Sequence, residues 1–232
     1  MSHTRWYNNL YINLSSKNYM PASEFSQILS ALILLTAITS IPNIALGNWS
    51  ALAPAFFFAV LILGLSIGAK KLTAYSLDAD VEHELWKVYQ YGFSPGQHFK
   101  REMPAGIIIP LLGTLLSLGS LPVMTLLTYE TRAKKYRAAK RHGYYSYTEM
   151  TDWHNALISS AGIIIVLLLA LILYFLPYSN LEYFAKISAL YAFFNLLPIS
   201  KLDGTQIFFG SRVLYSVLAL ITLIFAIYAL IL

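Results

Sequence analysis

The sequence predicts a polytopic membrane protein, all-α in class, with about five or six transmembrane helices. Three observations carry this. The 232 residues are 57% hydrophobic and only 12% charged, against about 25% charged for a soluble domain. Several apolar runs reach the ~20 residues needed to cross a bilayer. The Lys and Arg residues gather in particular loops instead of spreading evenly, as they do in membrane proteins.

Taken in order, residues 1–25 form a polar and aromatic segment without the basic start, short apolar run and small-residue cleavage site of a signal peptide. Residues 26–232 then read as one membrane domain. Five runs read as spans, at 26–46, 51–69, 155–176, 183–199 and 211–232. A sixth, 103–127, carries Pro104, Gly106, Pro110, Gly113, Gly119 and Pro122. So many helix breakers point to a broken or re-entrant element. Charge supports re-entry. If 103–127 returns to its starting side, Lys70, Lys71, Lys87, Lys100 and Arg101 join the basic stretch "TRAKKYRAAKRHG" (131–143) on one face. That face is then cytoplasmic by the positive-inside rule, and the expected location is the cell membrane. A spanning 103–127 is the alternative. The basic stretch lacks any accompanying nucleic-acid motif, so no nucleic-acid partner is expected.

The stretch "DADVEHELWKVYQYGF" (78–93) is polar, with β-branched and aromatic residues, and reads as a short strand or hairpin at the membrane face. "SYTE" (146–149) has the Ser and Glu spacing of a capping box and is expected to open the helix of the 155–176 span. The chain has no Cys, which excludes disulfides, thiolate metal sites and Cys nucleophiles.

One polar segment lies between two apolar runs. "FNLLPISKLDG" (194–204) places Asn195, Pro198, Leu202, Asp203 and Gly204 at or near membrane depth. Asp-Gly is a common turn, yet an ionisable residue beside membrane spans is a functional candidate. The segment resembles the N-x-x-P-x-x-x-L-D-G motif of the site-2 protease family, intramembrane zinc metalloproteases, and the resemblance extends over most of 51–212. It implies that Asp203 stands where the family has its third zinc ligand and Asn195 where the family steadies the substrate or oxyanion.

The companion motif is absent. A family HExxH helix would fall on "LSIGAKKLTAY" (65–75). A gapless alignment puts Ser66 and Lys70 at the two His places and Ile67 at the Glu place. Ser is a poor zinc ligand, Lys is a cation and Ile moves no proton. "HELWK" (83–87) begins like the motif but ends in Lys87, so His83 and Glu84 are read as surface hydrogen-bonding residues, with a zinc role as the alternative. Ile163 and Val166 stand at the Pro and Asn places of a second family signature, after the "AG" at 161–162.

The reading is therefore a degenerate, catalytically inactive homologue with no cofactor, sheltering a partner's transmembrane segment. An active protease binding zinc through unusual ligands such as Asp203 with His83 is the first alternative. A small transporter or channel subunit is the second. The alignment also places Lys70 within reach of Asp203. They are expected to form an ion pair replacing the metal, with a hydrogen bond from Asn195. The competing expectation is the common behaviour of a terminal Lys, snorkelling to the interface.

Overall fold

The computed structural model describes residues 24–90, 98–117, 119–134, 150–176 and 179–231. The described chain is mostly helical. Helix α1 covers Glu24–Ala45, and a short 3₁₀ turn (Trp49–Ala51) leads into α2 (Leu52–Ser76). Strands β1 (Ala79–Leu85), β2 (Val88–Gln90) and β3 (His98–Met103) follow, then α3 (Ala105–Leu116) and β4 (Leu127–Ala133). The chain ends in α4 (Asp152–Phe175), α5 (Ser179–Asn195), α6 (Asp203–Gly210) and α7 (Arg212–Ile231).

Among the described residues, four helical segments are long and apolar enough to cross a membrane: Glu24–Ala45, Trp49–Ser76, Asp152–Phe175 and Arg212–Ile231. Their outward faces carry large apolar side chains such as Phe25, Ile33, Phe57, Ile172, Ile224 and Ile231, all exposed. A lipid bilayer is the environment that covers such surfaces. The core lies where α1, α2, α4 and α5 meet, around Leu35, Ile38, Ile62, Ile163, Val166 and Ile187.

Several expectations need correction. The expected 51–69 helix continues to Ser76, so Lys70 lies inside it and is buried. The expected span at 183–199 is the 17-residue α5, which stops at Asn195. At about 1.5 Å per residue that is shorter than the hydrocarbon core. The chain then turns through 196–202, where Ser200 adopts a φ of 53°. The segment 103–127 is helical only over the 12 residues of α3. A turn at Gly119, whose φ is 79°, follows, and residues 122–126 lead into β4 without helix. The capping box at 146–149 lies outside the described residues, and α4 begins at Asp152, where the Thr151 side chain accepts from His154 N.

The strand expected within 78–93 is present as β1 and β2, part of a small β portion in a mostly helical chain. β1 pairs antiparallel with β4, from Ala79 opposite Ala133 to Leu85 opposite Leu127. β2 pairs antiparallel with β3. β1 has the period-2 burial of a half-buried strand: Ala79, Val81 and His83 are buried, while Asp80 and Glu82 are exposed. Trp86 ties the two pairs together. Its N–H donates to Leu126 O at 2.9 Å, and its carbonyl accepts from Gly106 N at 2.8 Å. Both ends of the α3 excursion therefore meet at one residue.

Candidate functional site: a buried ion pair

The buried face of α2 runs through Ala55, Ala59, Ile62, Leu63, Ser66, Lys70 and Ala74, at helical spacing. A cation interrupts that apolar stripe one turn before Ala74. Lys70 is 3% exposed and Asp203 is 2% exposed. Lys70 Nζ lies 2.8 Å from Asp203 Oδ1 and 2.6 Å from Oδ2, so both carboxylate oxygens are engaged. Lys70 does not snorkel. A partner on α6 offsets the cost of burial that would otherwise drive it to the interface.

Small residues make this possible. A Cβ built on Gly162 would lie 2.5 Å from Lys70 Cε and 3.0 Å from its Cγ. The Lys70 stem thus crosses α4 where a side chain is missing. Gly204 plays the matching part for Asp203, since a Cβ there would sit 1.8 Å from Leu196 O. That close approach presses the start of α6 onto the end of α5. Leu202 is fully buried against Trp86 and Ala105, and Asp203 opens α6, where a helix N-terminus favours negative charge. A Cβ on Gly210 would meet Asp152 O at 2.3 Å. So α6 runs back along α4 from Gly162 to Asp152, and the ion pair lies about 15 Å along α4.

Polar side chains frame the pair. Lys70 Nζ sits 5.0 Å from the centroid of the Tyr129 ring, within cation–π range. The Tyr129 hydroxyl is 2.5 Å from Ser159 Oγ and donates to Asn155 O at 2.9 Å. Tyr191 is hydrogen-bonded to Ser66. Sequence reasoning missed Tyr129, Tyr191 and Ser159. Only the alternation of "LTYETRA" hinted that Tyr129 faces inward from a strand.

The remaining motif residues divide. Asn195 is buried, but its amide donates to Tyr191 O at 2.8 Å and Met124 O at 3.2 Å. It braces the end of α5 against the segment before β4 and gives Asp203 nothing. Pro198 is exposed in the turn. Ile67 packs partly buried on the core, and Ile163 and Val166 are buried in α4.

His83 is not a surface residue. It is 2% exposed, and it stands opposite Tyr129 in the β1–β4 register, so the two share a sheet face. Its Nδ1 lies 3.2 Å from Glu24 Oε1, and its Nε2 is buried without a hydrogen-bond partner. Burial, then the nearby Lys70 cation, pushes its pKa down to about 4, against the pull of Glu24. The imidazole is therefore neutral, with Nδ1–H toward the carboxylate. Glu84 is half-buried and lies 3.9 Å from Lys87.

A zinc ion does not fit these residues. Both oxygens of Asp203 face an ammonium and Ser66 is bonded to Tyr191, which leaves the Nε2 of His83 as a single open donor, and one donor does not make a zinc site. Among the described residues no group of three or more His, Asp or Glu converges. No protein-family model, curated protein or solved structure matches the chain.

Proposed function

We propose that the chain is a non-catalytic membrane protein with a site-2 protease-like core, which binds a transmembrane segment of another protein without cutting it. The observation that carries this reading is the Lys70–Asp203 pair. A gapless alignment on Lys71 and Leu72 puts Lys70 at a metal-ligand place, and Lys70 reaches the carboxylate of the LDG motif. An ammonium there neutralises Asp203, as a metal would, but offers no open coordination position and no activated water. The β pairs after α2 sit where the resemblance expects a polar insert.

The same reading makes 103–127 re-entrant. The convergence of both its ends on Trp86 supports this, as does a helix of only 12 residues. The basic loops would then be cytoplasmic and the protein would lie in the cell membrane. Cysteines introduced at positions 98 and 135 should both be labelled from the cytoplasm only, and labelling from opposite faces would exclude re-entry.

The activity test is direct. The purified protein should carry no stoichiometric zinc and leave membrane-helix substrates intact, with Asp203→Asn changing no proteolytic readout. Chelator-sensitive cleavage would instead establish the working metalloprotease. A second reading, a small transporter or channel subunit, is favoured by one observation. Asp203 begins a half-helix about 15 Å along α4, an arrangement used by discontinuous spans that hold ions. Ion flux in proteoliposomes, lost in Asp203→Asn, would favour that reading over the first.

A further inference from the structure

The two edges of β1 are closed by different means. Successive residues of an antiparallel strand turn their N–H groups to opposite edges. Trp86 N reaches Leu126 O on the β4 side. His83 and Leu85 turn the other way, and their N–H groups end on side chains of α1. His83 N donates to Glu24 Oε1 at 3.1 Å, and Leu85 N donates to Gln27 Oε1 at 2.8 Å. The spacings match. Donors two residues apart on a strand are separated by about 6.8 Å, and helix positions three apart have Cβ atoms about 5–6 Å apart. Glu24 is held from two further directions, by Lys71 Nζ at 2.8 Å and by His83 Nδ1.

We propose that the first turn of α1 is a lock on a strand-addition edge. Glu24 and Gln27 occupy two of the donors through which β1 would pair with an extended peptide segment, those of His83 and Leu85, and such a segment binds only when that turn is withdrawn. The occupant follows from the donors. Main-chain N–H groups at i and i+2 along one edge are what the carbonyls of an added strand take. The lock can open because of where it sits. The fully buried residues of α1 begin at Ala31 and continue through Leu35 and Ile38, whereas Phe25 is 75% exposed. The first turn is thus held by polar bonds and the rest of the helix by packing. Releasing Glu24 and Gln27 leaves both the core and the β1–β4 ladder in place.

The test does not depend on the proposed function, because amide protection is read on the chain alone. Residue-resolved hydrogen–deuterium exchange should be compared for the full chain in nanodiscs as wild type, Glu24→Ala/Gln27→Ala and Glu24→Gln. In the double variant, exchange at His83 and Leu85 should accelerate by at least about tenfold while Glu82 and Glu84 stay slow. Glu24→Gln keeps an acceptor oxygen and should leave both amides protected. A fluorescein-labelled peptide copying residues 127–133, the segment β1 already pairs with, should bind the double variant and not the wild type. A copy N-methylated at alternate residues should fail to bind. Unchanged exchange at His83 and Leu85 would overturn the lock, as would equal peptide binding by both proteins. Faster exchange with no peptide binding to the double variant would overturn strand addition. If the double variant does not fold, Gln27→Ala alone should accelerate Leu85 alone, and an unchanged Leu85 would again overturn the proposal.

Discussion

Lys70 and Lys71 are neighbours on one helix, and their surroundings differ completely. A helix turns about 100° per residue, which sends Lys70 into the bundle and Lys71 to its rim. Lys70 pairs with Asp203 at 2.6 Å with both side chains almost fully buried, while Lys71 pairs with Glu24 at 2.8 Å with its own side chain 44% exposed. The distances are nearly equal, so geometry alone would rank the two contacts together. Burial separates them. At the rim, water screens the charges and hydrates either one left alone. In the interior neither charge can be abandoned without leaving the other unpaired in a low dielectric. The inner pair therefore fixes how α2, α4 and α6 stand together, and the outer pair trims the end of α1.

The largest expected effect comes from breaking the inner pair. Lys70→Ala or Asp203→Ala alone should each cost roughly 3–5 kcal/mol, the penalty of an orphaned buried charge. The double variant should be no worse than either single one, because it removes both charges. Thermal unfolding in detergent would measure all three, and strictly additive losses would show that the two side chains do not act as a pair. Gly162→Ala sharpens the same point. The new Cβ would overlap the Lys70 stem, an overpacking cost of about 1–3 kcal/mol that should shrink in the Lys70→Ala background.

Part of this arrangement was legible in the sequence. The apolar runs located the four long helices, and the LDG motif singled out Asp203. Alignment on Lys71 and Leu72 named Lys70 as its partner. Less legible was anything set by neighbours distant in the chain. The exposed-looking "DADVEHEL" hides His83, because its partner strand begins only at Leu127 and no local pattern announces that pairing. Asn195 was assigned to Asp203 on the strength of the motif, yet the carbonyls of Tyr191 and Met124 claim its amide. Gly162 stood out as a small residue, but the reason for its size is a Lys on another helix.

The next effect is a pH dependence centred on His83, which touches the outer cluster through Glu24 and feels the inner one through Lys70. Its pKa in the fold is about 4, below the ordinary 6.5. The unfolded chain therefore binds a proton between those values while the folded chain does not, and stability rises with pH across that interval. The contribution is complete above about pH 6.5 and is lost as pH falls toward 4, with a total on the order of 3 kcal/mol. Melting temperatures between pH 4 and 8 should show the slope in the wild type, and His83→Gln should flatten it. An equal slope in His83→Gln would assign the titration to other groups.

The smallest effect should come from the outer pair. Lys71→Ala leaves Glu24 with its bonds to His83, and Lys71 already stands partly in water, so the loss should be no more than about 1 kcal/mol. Salt provides the sharper contrast. Raising ionic strength from about 0.01 to 1 M shortens the Debye length from roughly 30 to 3 Å. That should erase most of the difference between wild type and Lys71→Ala, because an exposed pair is open to screening. The Lys70→Ala deficit should persist over the same range, since ions do not reach a buried pair that lies against Tyr129 and Gly162. Unfolding curves of the two variants at low and high salt decide the matter. If both deficits vanish in salt, water and ions reach the inner pair and the contrast between the neighbouring lysines fails. If the Lys71→Ala deficit persists, Lys71 acts through the packing of its methylene stem instead of its charge.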